Sequence, residues 1–183
     1  PTVVTHGTDE QRRRYLRPLF TCQEIWCQLF SEPGSGSDVA GLSTAAVRDG
    51  DEWVVNGQKV GTTAAHLADL GLLLARGDPG VAKHQGLTMF LVPMDSAGIE
   101  LQPIHTLGGE RTNITFYDGV CVPDACRVGP VDEGWRVMQV ALAFERGSAM
   151  GAEMARHLRR AVEWAAASDD DEGRSRLADP TVR

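Results

Sequence analysis

The sequence predicts an α+β chain: a central antiparallel β-barrel-like domain followed by a long α-helix. Three observations carry that expectation. Between Ile25 and Val128 the apolar runs are short and separated by turn-forming residues, the pattern of an antiparallel barrel or sandwich. No helix-length spacers separate those runs and no GxGxxG follows a strand, which disfavours a doubly wound dinucleotide fold despite 20 glycines. From Trp135 to Ala167 there is no proline, and Trp135, Met138, Leu142, Met150, Met154 and Leu158 recur at roughly helical spacing.

The elements follow in order. Thr8 to Gln11 has the form of a capping box, so a short helix is expected to about Arg17, where Pro18 interrupts it. Arg12, Arg13, Arg14 and Arg17 read as its solvated face. Ile25 to Phe30 is strand-like. Ser43 to Arg48 alternates weakly, Asp49-Gly50-Asp51 turns, and Glu52 to Val55 runs back. Asn56-Gly57 is a hairpin signal, with Gln58 to Thr62 as the returning strand. Leu70 to Arg76 and Leu87 to Pro93 are apolar runs of strand length around a polar loop, Gly77 to Gly86. Ile99 to Pro103, Asn113 to Tyr117 and Val120 to Val122 complete the β set. In the helical stretch, Gly147 and Gly151 sit four apart and would let another helix approach. Asp169 to Gly173 reads as a charged linker, and Asp179-Pro180 as a helix start with no body after it. The expected divisions are 1–24, the tail of a helical domain; 25–130, the β-domain; and 131–183, the first helix of a second helical domain. Together they suggest a piece of a longer protein.

Composition narrows the function. With 183 residues, 42% hydrophobic, the chain can bury a core. A net charge of −7 argues against a nucleic-acid surface and against anionic membranes. No apolar run approaches a membrane span. Cys22 and Cys27, like Cys121 and Cys126, are separated by four residues and lack metal-ligand spacing; reduced thiols in a cytoplasmic protein are expected. His66, His84 and His105 lie on different segments, and surface roles are expected for them. Lys83-His84 could approach a phosphate, although a solvent-exposed loop is the simpler reading.

The chemistry is concentrated from Ser31 to Gly41, SEPGSGSDVAG. Gly34 and Gly36 are expected to allow positive φ and close backbone approach of a ligand. Ser35 and Ser37 add hydroxyl donors, and successive N–H groups in such a turn can cradle an anion. On composition alone a plain turn is the simpler reading of the stretch. The whole string from Phe30 to Gly41 goes further: it closely resembles the flavin-binding signature of the acyl-CoA dehydrogenase family. Ser31-Glu32, then Gly36-Ser37-Asp38 and Gly41, stand at the constrained positions; Leu29 and Phe30 depart from the small and aliphatic residues usual upstream.

That resemblance implies the middle β-domain of a longer enzyme that introduces an α,β double bond into an acyl-CoA thioester, with FAD as cofactor. It implies a cofactor cradle in two pieces. The first is Gln28, Leu29, Phe30, Ser31, Gly36 and Ser37, with backbone at Phe30 and Ser31 toward the flavin pyrimidine and Gly36 and Ser37 toward the pyrophosphate. Ser37 is also implied to touch the substrate. The second piece is Gly61, Thr62 and Thr63, with the Thr63 hydroxyl near flavin N5. Gly61 stands where the family commonly has an aromatic residue, so weak flavin binding is expected, strengthened by Gly61→Trp. The family's usual catalytic glutamate would fall outside this chain; Glu145 coincides with an alternative base position, and Arg146 resembles an arginine near the substrate pocket. A salt-bridged or solvated Glu145 is the competing reading. An electron-transfer flavoprotein as acceptor, and a homo- or hetero-oligomer, are further implications. Two other functions compete: a non-catalytic β-domain serving as a binding or assembly module, and a related acyl-CoA oxidase.

Overall fold

Eight strands make one mixed sheet in the order β6-β7-β3-β2-β4-β5-β8, with β1 paired to β4 off that path. They are β1 Trp26–Leu29, β2 Ala45–Asp49, β3 Glu52–Lys59, β4 Leu70–Arg76, β5 Leu87–Pro93, β6 Ile99–His105, β7 Arg111–Pro123 and β8 Arg127–Val128. The computed structural model describes residues 1–148, 151–167, 169 and 173–178. They fall into two units, Pro1–Ala141 and Leu142–Arg183. Most pairings are antiparallel, as the short runs and turns predict; β1 and β2 each pair in parallel with β4.

The sheet wraps one apolar cluster. Cys27 and Leu29 of β1, Trp53 and Val55 of β3, Leu73 and Ala75 of β4, Phe90 and Val92 of β5, and Tyr117, Val120 and Val122 of β7 meet there. The β4–β5 register pairs Leu73 with Phe90, while Leu72 with Leu91 and Leu74 with Met89 occupy the opposite face. All six are buried, so this hairpin is covered on both sides. That is why both runs are apolar without alternation. Trp53 packs against Phe90 at 5.3 Å and donates its indole N–H to Asp124 Oδ1 at 2.8 Å. Arg127 donates to the same carboxylate at 2.9 Å, and its hydrogen bonds hold the Asp124 pKa well below the usual range.

Three sequence expectations are corrected. Asn56-Gly57 does not turn: β3 runs straight through it with a bulge between Val55 and Gly57, and ends at Lys59. The glycine serves close approach instead, because a Cβ at 57 would lie 2.7 Å from Thr44 Cα. Asn56 Oδ1 accepts the Gly119 N–H at 2.8 Å, so the pair's turn chemistry is spent on β7. The β2–β3 hairpin is made by Gly50 and Asp51, with Gly50 at φ +61. Asn113 to Tyr117 and Val120 to Val122 are one strand, β7, continuous through Gly119.

The third correction concerns the first long helix. Helix α1 covers Thr2–His6, and α2 runs Asp9–Phe20 with Pro18 inside its last turn. Pro18 supplies no N–H to the helix ladder, and only two helical residues follow it before the C-cap Thr21. The capping box forms as predicted: Thr8 Oγ1 accepts the Gln11 N–H, and Gln11 Oε1 accepts the Thr8 N–H, each at 3.1 Å. Arg12 and Arg13 pair with Asp9 and Glu10 one turn back on the exposed face. The other end of the Gln11 amide donates to Ala125 O and Arg127 O, both at 2.8 Å. Gln11→Ala keeps the bond from the residue 11 N–H to Thr8 Oγ1 but removes the reciprocal half of the capping box and strands two carbonyls, so it is expected to cost about 2 kcal/mol. Urea denaturation checks this; a loss below about 0.5 kcal/mol, the range of an ordinary surface change, would refute it.

After the strands, α3 spans Gly134–Ser148 and α4 Gly151–Ala167. The helix predicted over 135–167 is thus recorded as two stretches, with Met150 outside the described residues. Val137 and Met138 are fully buried, and Gly134 sits where a Cβ would meet the backbone of Leu87. In the second unit, Arg176 lies over the Trp164 ring at 5.0 Å. Met154, Leu158 and Val162 of α4 are exposed. Asp179-Pro180, the predicted helix start, lies outside the described residues.

Candidate functional site

The two segments expected to form the cradle lie side by side. Ser31 O accepts the Val60 N–H at 2.9 Å, which ties the start of the 31–41 loop to the segment leading into Gly61. One residue earlier, Lys59 Nζ donates to Phe30 O at 3.1 Å and to Glu32 Oε1 at 2.9 Å. The Lys59 side chain is wholly buried, and that of Glu32 is 4% exposed. The Glu32 carboxylate then spends its remaining capacity on the loop's far arm. Oε2 accepts the Ser43 N–H and hydroxyl at 2.7 and 2.8 Å, and Oε1 the Thr44 N–H at 2.8 Å.

This surrounding sets the protonation of the pair. Burial works against the Glu32 charge, but Lys59, Thr44 and Ser43 outweigh it and bring the carboxyl down to about 2. Burial lowers Lys59 to about 8, with Glu32 opposing the shift. At neutral pH this is an ion pair with four hydrogen bonds from the chain around it.

The loop itself is a tight structure. Glu32 and Ser35 exchange backbone hydrogen bonds at 3.0 Å in both directions. Arg76, at the end of β4, straps it from outside, donating to Ala40 O at 2.7 Å and Leu42 O at 3.1 Å. The same guanidinium reaches Lys83 O and Gln85 O in the neighbouring loop. Lys83 closes the strap by pairing with both Asp38 oxygens at 2.9 Å. His84 rests edge-on against Trp135 at 4.5 Å.

The predicted site residues separate into groups. Gln28 is exposed on β1, Leu29 and Phe30 are buried, and Ser31 is half-buried. The Leu29 side chain belongs to the core, so only its backbone is open to a ligand role. Gly36 and Ser37 are exposed on the loop. Gly34 and Gly36 do not use positive φ, against expectation; what they provide is space, since a Cβ on either meets nothing within 4 Å. Thr62 is buried and held by Asn113, through Thr62 N to Asn113 O at 3.1 Å and Asn113 Nδ2 to Thr62 O at 3.0 Å. Thr63 is exposed. Glu145 and Arg146 are exposed residues of α3 in the second unit.

Gly61 has a backbone reason to be glycine. Its φ is +73, in the left-handed region, with open space beside it. A tryptophan there would be strained, so the gain expected from sequence is withdrawn. Gly61→Trp is expected to cost ~1–2 kcal/mol of stability and to bring no gain in flavin affinity. Denaturation curves and FAD titration of both proteins check this; tighter binding by the variant would refute it.

Sequence reasoning did not single out Lys59, Arg76 or Asn113. A signal for Lys59 existed, because it continues the inward phase of Trp53 and Val55 along β3. Arg76 and Asn113 carry none, since the contacts that tie them to the site are to backbone carbonyls. The site fits a bound ligand on two counts: the open flanks of Gly34, Gly36 and Gly61, and a Thr62 hydroxyl that is buried without a hydrogen-bond partner. Among the described residues no cluster of His, Cys, Asp and Glu could hold a metal, and no helix is long and apolar enough to cross a membrane.

The chain is thus a mixed β-sheet domain with a Gly/Ser loop latched to a second backbone segment. Its family follows from comparison with known proteins. Residues 27–118, half of the chain, match the acyl-CoA dehydrogenase middle domain, and the chain belongs to that family. It is 48% identical to the acyl-CoA dehydrogenase FadE34 of Mycobacterium tuberculosis over 160 residues, 84% of this chain and 22% of that protein. To the acyl-CoA dehydrogenase IpdE1 of the same organism it is 44% identical, over 97% of this chain and 48% of that one. Among solved structures, the ChsE4-ChsE5 complex from M. tuberculosis superposes with a TM-score of 0.84 at 38% identity, covering 98% of this chain and 47% of that chain. The chain therefore spans about half, or less, of the length of these relatives.

Proposed function

We propose that this chain is the flavin-binding part of an FAD-dependent acyl-CoA dehydrogenase acting on an acyl-CoA thioester. The observation that carries the reading is the Val60–Ser31 hydrogen bond with the Lys59–Glu32 pair beside it, which brings the two motif segments together. FAD, when bound, supplies the acceptor for the β-hydrogen of the acyl group as hydride. The chain's own part is binding and orientation. Backbone groups of Gln28, Leu29, Phe30 and Ser31 would meet the pyrimidine edge. Gly36 and Ser37 would offer donors to the pyrophosphate, with Ser37 also toward substrate, and Gly61, Thr62 and Thr63 would face the ring. Thr62, with its unpartnered hydroxyl, and the exposed Thr63 supply the polar contacts there. Glu145 is the candidate base within this chain and Arg146 a candidate substrate contact. A base in that role must come within hydrogen-bond reach of the α-carbon proton.

In this reading 1–24 and 131–183 are parts of flanking helical domains, and 25–130 is the flavin domain. Exposed Met154, Leu158 and Val162 on α4 favour assembly with a second polypeptide, in line with the complex that ChsE4-ChsE5 forms. An electron-transfer flavoprotein is the proposed acceptor, and the four free cysteines go with a cytoplasmic location. The test is to refold the purified chain with FAD, remove free cofactor and record the visible spectrum. A retained flavin band near stoichiometry supports the reading. A colourless protein would leave the non-catalytic β-domain as the better account.

A further inference from the structure

We infer that the buried Glu32–Lys59 pair is a positioning device for the cofactor cradle: it sets the register between the 31–44 arm and the 59–63 segment. The inference rests on reading those two segments as the flavin cradle. Three features separate this pair from an ordinary stabilising contact. It is the junction of both segments, since Lys59 holds Phe30 O and Glu32 while Glu32 holds Ser43 and Thr44. It joins its segments by charge and hydrogen bonds rather than by the apolar contacts that gather six strands into the core cluster. And it is costly: two charges withdrawn from water gain little net stability over neutral groups of the same size, so their return is in specificity of geometry.

The geometry explains how the pair would act. The hydrogen bond from Val60 to Ser31 is a single backbone contact and tolerates sliding. Lys59, by contrast, has two fixed acceptors on consecutive sides of Ser31, at Phe30 and Glu32. A shift of β3 by one residue would move the ammonium off both. Glu32 carries the same constraint across to Thr44, whose hydroxyl donates back to Gln58 O at 3.1 Å beside Lys59. The four groups make a closed circuit around the root of the loop. Gly61 to Thr63 follow directly from it, so their distance from Gly36 and Ser37 is fixed there.

The test separates positioning from stability. Glu32→Gln/Lys59→Met removes both charges, so neither is left buried alone. In the full chain this double variant is expected to lose less stability than Lys59→Ala, while FAD affinity by fluorescence titration falls about tenfold or more, the range of lost charge-assisted hydrogen bonds. Amide hydrogen exchange without FAD should accelerate in 31–44 and 59–63 and stay unchanged in β4 and β5. Wild-type FAD affinity together with wild-type exchange in the double variant would overturn the inference. If the double variant does not fold, exchange in Glu32→Gln decides: acceleration confined to the two segments supports it, and uniform acceleration overturns it. If the wild-type chain binds no FAD, the flavin reading fails, and the exchange pattern alone still decides whether the pair sets the register.

Discussion

Lys59→Ala is expected to destabilise the β-domain by ~3–5 kcal/mol, the cost of leaving one member of a buried ion pair alone. The Glu32 carboxylate would remain 4% exposed with its positive partner gone, and Phe30 O would lose its donor. Chemical denaturation measures this; a loss below about 1 kcal/mol, the scale of an exposed pair, would show that the pair is not desolvated in solution. The same pair sets an acid limit. Glu32 sits at about 2 in the folded chain against an ordinary 4.5, so the unfolded chain binds this proton first as pH falls. Its contribution is complete above about pH 4.5 and is lost progressively toward pH 2. Glu32→Gln should therefore flatten the dependence of stability on pH in that window, and an unchanged slope would refute the assignment.

Gly57→Ala is expected to cost about 3 kcal/mol, from backbone strain and overpacking together. Gly57 has φ +145, and an added Cβ would lie 2.7 Å from both Thr44 Cα and Thr44 Oγ1. No flexible side-chain end is available to give way, so β3 must move off β2 or Thr44 must move. Either displacement pulls the Thr44 N–H away from Glu32. Gly50→Ala is the control: its φ is +61, but a Cβ there meets nothing within 4 Å, and only ~1–2 kcal/mol of left-handed strain is expected. Equal losses in the two variants would show that the close approach to Thr44 has no energetic weight.

How much was legible in the sequence depended on where each residue finds its partners. Leu70–Arg76 and Leu87–Pro93 could be read to the residue because both faces of that hairpin are buried and the apolar run ends where burial ends. Thr8 and Gln11 could be read because a capping box is a contact within one turn. Asn56-Gly57 was misread because the local rule for a tight turn competes with a tertiary need, the passage of β3 over Thr44, and the tertiary need prevailed. The parallel β1–β4 pairing was missed because no short connection announces it. In the site, the Gly/Ser loop was visible as a string, but its internal wiring was not. Lys59 and Glu32 stand 27 positions apart, and Arg76 binds carbonyls, which every residue possesses.

The Gln11 amide has a consequence for biosynthesis. Its acceptors lie 114 and 116 positions further along the chain, at Ala125 and Arg127. A ribosome adding 5–20 residues per second needs roughly 6–23 s to reach them after Gln11 is made. Throughout that interval the N-terminal helix has its cap but not its anchorage. The helix can form early, whereas its docking must wait until the last strand has been translated and has cleared the exit tunnel. Nascent chains stalled before residue 125 should accordingly show α2 open to protease while the β2–β3 and β4–β5 hairpins are already within reach of their partners, and α2 should become protected once elongation has carried Ala125 and Arg127 out of the tunnel.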